Sequence, residues 1–309
     1  MTWWVSAGAL LGGLGISAVA VAVSIRLAHR FDVLDYPDSE RKTQERPIPK
    51  LGGLAVAVAF ALVVGIALQF VTLPGEGRLA AAALVPAVFA GLVGYVDDQV
   101  HINPYVRLML QAITGVLVWL LGTRVDVFQV GWLDAIVVVA FVMILINGLN
   151  LLDNSDGLAA STTAIAALGA AVIAVIYQQE LVSLLGFALV GITLGFLWHN
   201  WFPARVYLGD SGAYFLATLL AVVVIRLRPE DVPTSYGVII ALLLIVLPLI
   251  DTTYVVVKRM TAGIHPFTAG RDHLSHALQE RGMSVPASVM ALQILSLVGA
   301  LGAVAVASI

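Results

Sequence analysis

Oxygen-bearing side chains recur every third residue through Asn147-Gly-Leu-Asn150-Leu-Leu-Asp153-Asn154-Ser-Asp156-Gly157, between two apolar runs. On a helix, residues three apart are neighbours, each step slipping about 60° round the axis. Adjacent pairs therefore meet, while the full set sweeps half the circumference unless Gly148 and Gly157 let the backbone open and gather it. Carboxamides and carboxylates are ligands for a hard cation such as Mg²⁺, and carboxylates also move protons. Asp97-Asp98 closes an earlier apolar run. Two adjacent carboxylates at the edge of hydrocarbon are costly unless paired, hydrated or metal-bound. They can bind Mg²⁺ or deprotonate a phosphate or hydroxyl nucleophile, and ordinary solvation of a helix end is an equal reading of so short a motif. Asp210 lies between Gly209 and Gly212 at a helix start, which leaves room for a close approach.

Two basic stretches complete the set. Arg41, Lys42, Arg46 and Lys50 surround a Pro-rich turn ahead of Gly52-Gly53. Cations beside free backbone N–H groups suit phosphate, although a plain basic loop has the same composition. Pro266-Phe-Thr-Ala-Gly-Arg271-Asp-His273-Leu-Ser-His276 sets two imidazoles one helical turn apart, suited to a phosphate contact or a metal. A third ligand and a His-Glu-x-x-His pattern are both missing nearby, which weighs against zinc. Trp198 and Trp201 read as an interfacial aromatic belt.

The elements that carry these groups must be membrane helices. Of 309 residues, 60% are hydrophobic and 11% charged, against about a quarter charged in soluble domains. Apolar runs at 3–28, 51–73, 79–96, 107–122, 133–149, 158–177, 181–198, 211–226, 236–257 and 287–308 predict about ten transmembrane helices, the fourth and fifth short. The runs are continuous rather than alternating, which excludes a β-barrel. The prediction is an all-α polytopic membrane protein of one domain, 1–309. No basic stretch precedes the first run, so it reads as a retained span. With no cysteine there is no disulfide, thiolate site or Cys nucleophile, and a net charge of −3 gives no argument for nucleic acid as a partner.

Twelve lysines and arginines fall in or beside the loops after helices 1, 3, 5, 7 and 9, against four on the other side. The bias places the first set in the cytoplasm and both termini outside. All the constellations above share that cytoplasmic side. Asp134 is expected near the outer rim and hydrated, and Asp251, after Pro248, to need a partner in the bundle.

In this order the motifs resemble the polyprenyl-phosphate N-acetylhexosamine-1-phosphate transferases, which include the phospho-MurNAc-pentapeptide translocases. Arg41-Lys42 ahead of Pro49, Leu208-Gly209-Asp210-Ser-Gly212 and Pro266-Phe-Thr are similar to the undecaprenyl-phosphate GlcNAc-1-phosphate branch. The resemblance implies transfer of a sugar 1-phosphate, GlcNAc favoured, from a UDP-sugar to polyprenyl phosphate in the bacterial plasma (inner) membrane. UMP is released in this first membrane step of envelope glycan synthesis. It implies Mg²⁺, with Mn²⁺ able to substitute, at Asn150 and Asp210. It further implies catalytic roles for Asp97, Asp98, Asp153 and Asp156. Lys42, Arg46, Asn147, Asn200, Tyr207, Arg271, His273 and His276 are implied as substrate-binding residues, and a homodimer is compatible with it. Three positions depart from the family pattern: Asn154 replaces the Gly of Asp-Gly-x-Asp-Gly, Ser275 the third residue of His-x-His-His, and Gln44 a His. Asn154 is expected to keep that turn by adopting a positive φ. A catalytically silent relative and a secondary transporter are the rival readings. The transporter needs intramembrane charges, for which Asp251 is the candidate.

Overall fold

The computed structural model describes residues 3–37, 46–71, 76–227, 233–268 and 270–309. Among these, twelve α-helices form a bundle: α1 (Trp3–Arg30), α2 (Gly52–Ala67), α3 (Glu76–Val100), α4 (Pro104–Leu120), α5 (Gly131–Leu152), α6 (Leu158–Ile176), α7 (Glu180–Asn200), α8 (Gly209–Ile225), α9 (Thr234–Leu244), α10 (Val246–Thr261), α11 (Leu274–Glu280) and α12 (Val285–Ala307). Two short strands, β1 (Leu34–Asp35) and β2 (Ile48–Pro49), pair antiparallel beside α2. Seven helices are long and apolar enough to cross a membrane, or eight if the bent α9–α10 pair is one span; α4 and α8 are shorter apolar helices.

Most expected spans coincide with a helix; two differ, and one loop holds an additional helix. The fifth run is not short: α5 is continuous over 22 residues. The ninth is broken at Ile245, where α9 and α10 meet at a bend of 69°. Pro248 explains the break, because its ring excludes the carbonyl four residues back, that of Leu244. The loop after α10 contains a further short helix, α11, which periodicity did not reveal.

The centre of the bundle is α8. Every residue from Ser211 to Ile225 is buried, as expected of a helix apolar on all sides. It packs on α3, α5, α2 and α6, while α1 and α6 flank α7 and α12 lies against α6 and α9. Contact at the start of α8 is backbone to backbone. A Cβ at Gly53 would meet Gly212, and one at Gly94 would meet the carbonyl of Asp210. Small residues at such crossings are how helices pack closely where lipid supplies no hydrophobic drive.

Asp134 is not hydrated. It is 2% exposed, and its carboxylate accepts from the N–H groups of Val127, Phe128 and Val130 at 2.9–3.1 Å. A buried carboxylate is tolerable with that many donors.

Gly94→Ala tests the close crossing. Overpacking of about 1–3 kcal/mol is expected, read as a lowered Tm of the detergent-solubilised protein. Gly65→Ala, where nothing lies within 4 Å of the new Cβ, should leave Tm unchanged or slightly raised.

Candidate active site

The site is built on the first turn of α8, whose N–H groups have no partners within the helix. Gly209, at φ +69°, bends the chain into that turn and donates its N–H to the Asp153 carboxylate. Asp98, near the end of α3, takes the next two N–H groups, Asp210 N at 3.1 Å and Ser211 N at 3.2 Å. Negative charge at a helix N-terminus is favourable. Asp210 itself receives Asn150 Nδ2 at 2.5 Å. Three carboxylates, from α3, the end of α5 and α8, thus converge on one helical turn.

The neighbouring aspartates of α3 do different work. Asp98 faces a cavity of about 350 Å³ at this end of the bundle. Asp97 faces the protein and is 4% exposed. Its oxygens accept from Ile102 N at 2.8 Å, Arg107 Nη1 at 3.4 Å and Tyr214 Oη at 3.0 Å. It fixes the α3–α4 corner to α8.

The expected Asn147 to Asp156 set is only partly gathered. Gly148 does not open the backbone; it lies inside α5, where a Cβ would press on Pro248 of α10. Asn147 therefore stays one face away, donating to Gln111 Oε1 at 2.6 Å and Met143 O at 2.8 Å. Asn150 faces α8. Only beyond the end of α5 do Asp153 and Asp156 reach the cavity wall. Gly157, at φ +78°, provides the opening and starts α6. Asn154 does not take a positive φ, so the expectation that it would replace glycine conformationally is corrected.

Across the cavity, the segment between α7 and α8 is tied down by side chains. Asn200, 3% exposed, accepts Gly157 N at 3.0 Å and donates to Val206 O at 2.9 Å. Asp156 accepts Ala204 N at 2.8 Å. Tyr207 N donates to Pro49 O at 2.9 Å, joining the segment to β2. Beside it Lys50 and Asp35 form an ion pair at 2.7 Å on the cavity wall.

The remaining wall comes from the segment between α10 and α11. Arg259, 5% exposed, grips both Asp272 oxygens at 2.7 Å and donates to Pro266 O at 2.6 Å. Asp251 has its partner: it bonds His273 Nδ1 at 3.0 Å and Leu274 N at 2.9 Å. His276 and Arg271 then face the cavity, the two imidazole rings 5.7 Å apart and edge to face.

Electrostatics at the wall are dominated by crowded acids. Burial first, then the charges of Asp210 and Asp98, hold the Asp153 carboxyl well above its usual range. Burial raises Asp156, and burial with the nearby acids Asp156, Asp35 and Asp153 raises the Tyr207 phenol. The Arg259 guanidinium keeps Asp272 below the ordinary carboxylate range. The donors at the floor are oxygens, a set suited to Mg²⁺, which takes one or two carboxylates and completes its shell with water and phosphate. Among the described residues no three His, Asp or Glu side chains form a closed metal cage.

Of the predicted site residues, Asp98, Asp153, Asp156, Asn200, Tyr207, Arg271 and His276 line the cavity. Asp97 and His273 are buried behind its wall, while Asn150 and Asp210 are partly exposed and are not part of the lining. Asn147 and the exposed Arg46 are not part of the lining, and Lys42 lies outside the described residues. Arg259 and Gln279 carried no signal in the sequence beyond a basic count and a helix end. Lys50 and Asp35 were visible only as parts of a charged loop.

Residues 79–228, α3 through α8, match the family model described as glycosyl transferase family 4. A probable undecaprenyl-phosphate N-acetylglucosaminyl 1-phosphate transferase of Bacillus subtilis is 27% identical over 293 residues, covering 92% of this chain and 80% of that protein. A decaprenyl-phosphate N-acetylglucosaminephosphotransferase of Mycolicibacterium smegmatis is 27% identical over 296 residues, 84% of this chain and 71% of its own. A phospho-N-acetylmuramoyl-pentapeptide-transferase of Bacillus mycoides is 30% identical over 203 residues, 59% of this chain and 62% of its own. The matched segment contains the whole carboxylate cluster on α8: Asp98, Asp153 and Asp210. The segment that bears His273 and His276, at the start of α11, follows it.

Two outcomes test the wall. Arg259→Lys cannot reproduce the two-pronged grip; a loss of about 1–3 kcal/mol is expected, read as a lower Tm and faster proteolysis between residues 262 and 273. His276 is held below its usual range by burial and by the charges of His273 and Arg271. As pH falls through about 6.5 the unfolded chain takes up this proton before the folded one, so stability is lost on the acid side. The Tm of the native protein should therefore fall more steeply below that pH than the Tm of His276→Gln.

Proposed function

We propose that the chain transfers GlcNAc 1-phosphate from UDP-GlcNAc to a polyprenyl phosphate, as the first membrane step of envelope glycan synthesis. An oxygen of the lipid phosphate attacks the β-phosphorus of the nucleotide sugar. The bond from that phosphorus to the bridging oxygen breaks, giving polyprenyl-diphospho-GlcNAc and UMP. The observation that carries the reading is the convergence of Asp98, Asp153 and Asp210 on the first turn of α8, beside a polar cavity at one end of an apolar bundle. So acidic a wall repels a diphosphate unless a cation stands between them.

Asp210 and Asn150 would hold Mg²⁺, or Mn²⁺ in its place. The cation, when bound, neutralises charge on the transferring phosphate and on the leaving UMP. The rest of the work falls to the chain itself. Asp98 and Asp153 keep the start of α8 in position through its backbone N–H groups. Arg271, His276 and Lys50 supply positive or hydrogen-bonding groups around the diphosphate. Tyr207 and Asn200, with Asp156, line the place for the nucleotide. Asp97 acts through position, holding the α3–α4 corner. Arg46 and Lys42 belong to the basic loop that would meet the headgroup layer.

The topology that serves this chemistry counts α4, α8 and the bent α9–α10 pair as spans, ten in all. Both termini then lie outside and the cavity opens to the cytoplasm of the bacterial inner membrane, as the Lys and Arg bias requires. Residues 1–309 act as one domain. A water-borne nucleotide and a membrane-borne phosphate can meet only at such an interface. Asp251, the one group that suggested a transport path, is bonded to the His273 segment instead.

Purified, detergent-solubilised protein given undecaprenyl phosphate and UDP-GlcNAc should release UMP with Mg²⁺ and not with EDTA. Asp210→Asn should lower kcat by at least about 10² while retaining a thermal unfolding transition. UMP release that survives EDTA, or full activity in Asp210→Asn, would remove Mg²⁺ and Asp210 from the mechanism. No release with any UDP-sugar from folded protein would sink the transfer itself.

A further inference from the structure

Two of the positions at which the sequence departs from the family pattern are bonded to each other. Ser275 Oγ donates to Asn154 Oδ1 at 2.5 Å, although 121 residues separate them. Ser275 is fully buried. Asn154 keeps an ordinary negative φ, so its position does not use the conformational freedom of glycine. It uses the amide. Nδ2 donates to Leu151 O at 2.5 Å, and Oδ1 also accepts Ser155 Oγ at 2.9 Å. One turn along α11, Gln279 Nε2 reaches Ser155 Oγ at 3.5 Å and Ser288 Oγ at 3.2 Å. The chain of bonds joins the α5–α6 turn to α11 and the start of α12.

Seven residues are too few for a helix to hold itself in place. The start of α11 is fixed to α10 through Asp251, His273 and Leu274 N. The turns beyond it meet the floor of the cavity through the Asn154–Ser275 bond and the longer Gln279 contact. His276 follows Ser275 directly and projects into the cavity about 100° round the axis from it. Where Ser275 is held, His276 is aimed.

We infer that Asn154 and Ser275 are a matched pair of positioning residues that sets how α11 presents His276 to the donor diphosphate. Together they take the place of the glycine and the imidazole in the family pattern. Neither acts on the reacting atoms. The inference rests on the donor site proposed above. It makes a specific demand: the two positions must change together, because removing one partner strands a buried polar group, whereas replacing both need not.

The test is a double-mutant cycle in the full-length, detergent-solubilised protein with Asn154→Gly, Ser275→His and the two combined. Each single variant should raise the KM for UDP-GlcNAc about tenfold, the loss of one buried hydrogen bond, with kcat little changed. The combined variant should recover most of that loss. Additive losses, or single variants that match the native protein, overturn the pairing. A lowered Tm with KM unmoved overturns the positioning role and leaves only a structural bond. Should the imidazole not fit, the same cycle with Asn154→Ala and Ser275→Ala decides the coupling. The Tm values of either cycle answer separately from the chemistry. If the native protein releases no UMP from any UDP-sugar, the transfer reading fails, while non-additive Tm shifts still support the pair and additive ones overturn it.

Discussion

A carboxylate taken out of water must find donors, and in this bundle the donors are the free N–H groups at the start of α8. Asp98 and Asp153 come from helices far apart in sequence and share that one turn, which carries Asp210 as well. The arrangement is mutually dependent. Without the carboxylates the first turn of a fully buried helix would leave its amides unpaired; without the amides the carboxylates would be stranded beside one another. The small residues Gly53 and Gly94 let α2 and α3 come close enough for this exchange. The fold is arranged around that requirement, and the cavity is what remains beside it.

The loops answer the same rule of satisfaction by a different route. Asn200 divides its amide between Gly157 and Val206, Asp251 divides its carboxylate between a ring and a backbone N–H, and Arg259 spans a carboxylate and a carbonyl. Each ties an irregular segment to a helix through two contacts, which fixes orientation as well as distance. Residues that a motif suggests as binding groups are therefore often builders of the wall. His273 and Asp97 are both buried and both already bonded.

The apolar runs were legible because hydrocarbon thickness and backbone satisfaction leave little choice of structure. The break at Ile245 was not, since a proline inside an apolar run is compatible with a kinked helix as well as with two helices. The convergence of Asp98, Asp153 and Asp210 could be suspected from residue type and spacing. Which member of Asp97-Asp98 faces the cavity could not, because the answer depends on Arg107 and Tyr214, on two other helices. Asn147 misled for a related reason: the three-residue spacing was correct, but α5 stays helical through Gly148 and carries that side chain round to Gln111. Arg259 was hidden among residues that a charge count treats as equal.

Because Asp98 grips α8 through main-chain amides, the chemistry of that grip does not depend on which side chains stand at positions 210 and 211. The grip is thus indifferent to the side-chain chemistry of those two positions, and sensitive to any substitution on this buried helix that shifts the backbone. The rim has the opposite character. It is assembled from side chains on separate segments, each replaceable if its partner changes too. Change in this molecule then has an allotted place: the frame around α8 must be kept as it is, while the edge of the cavity can be rewritten in pairs.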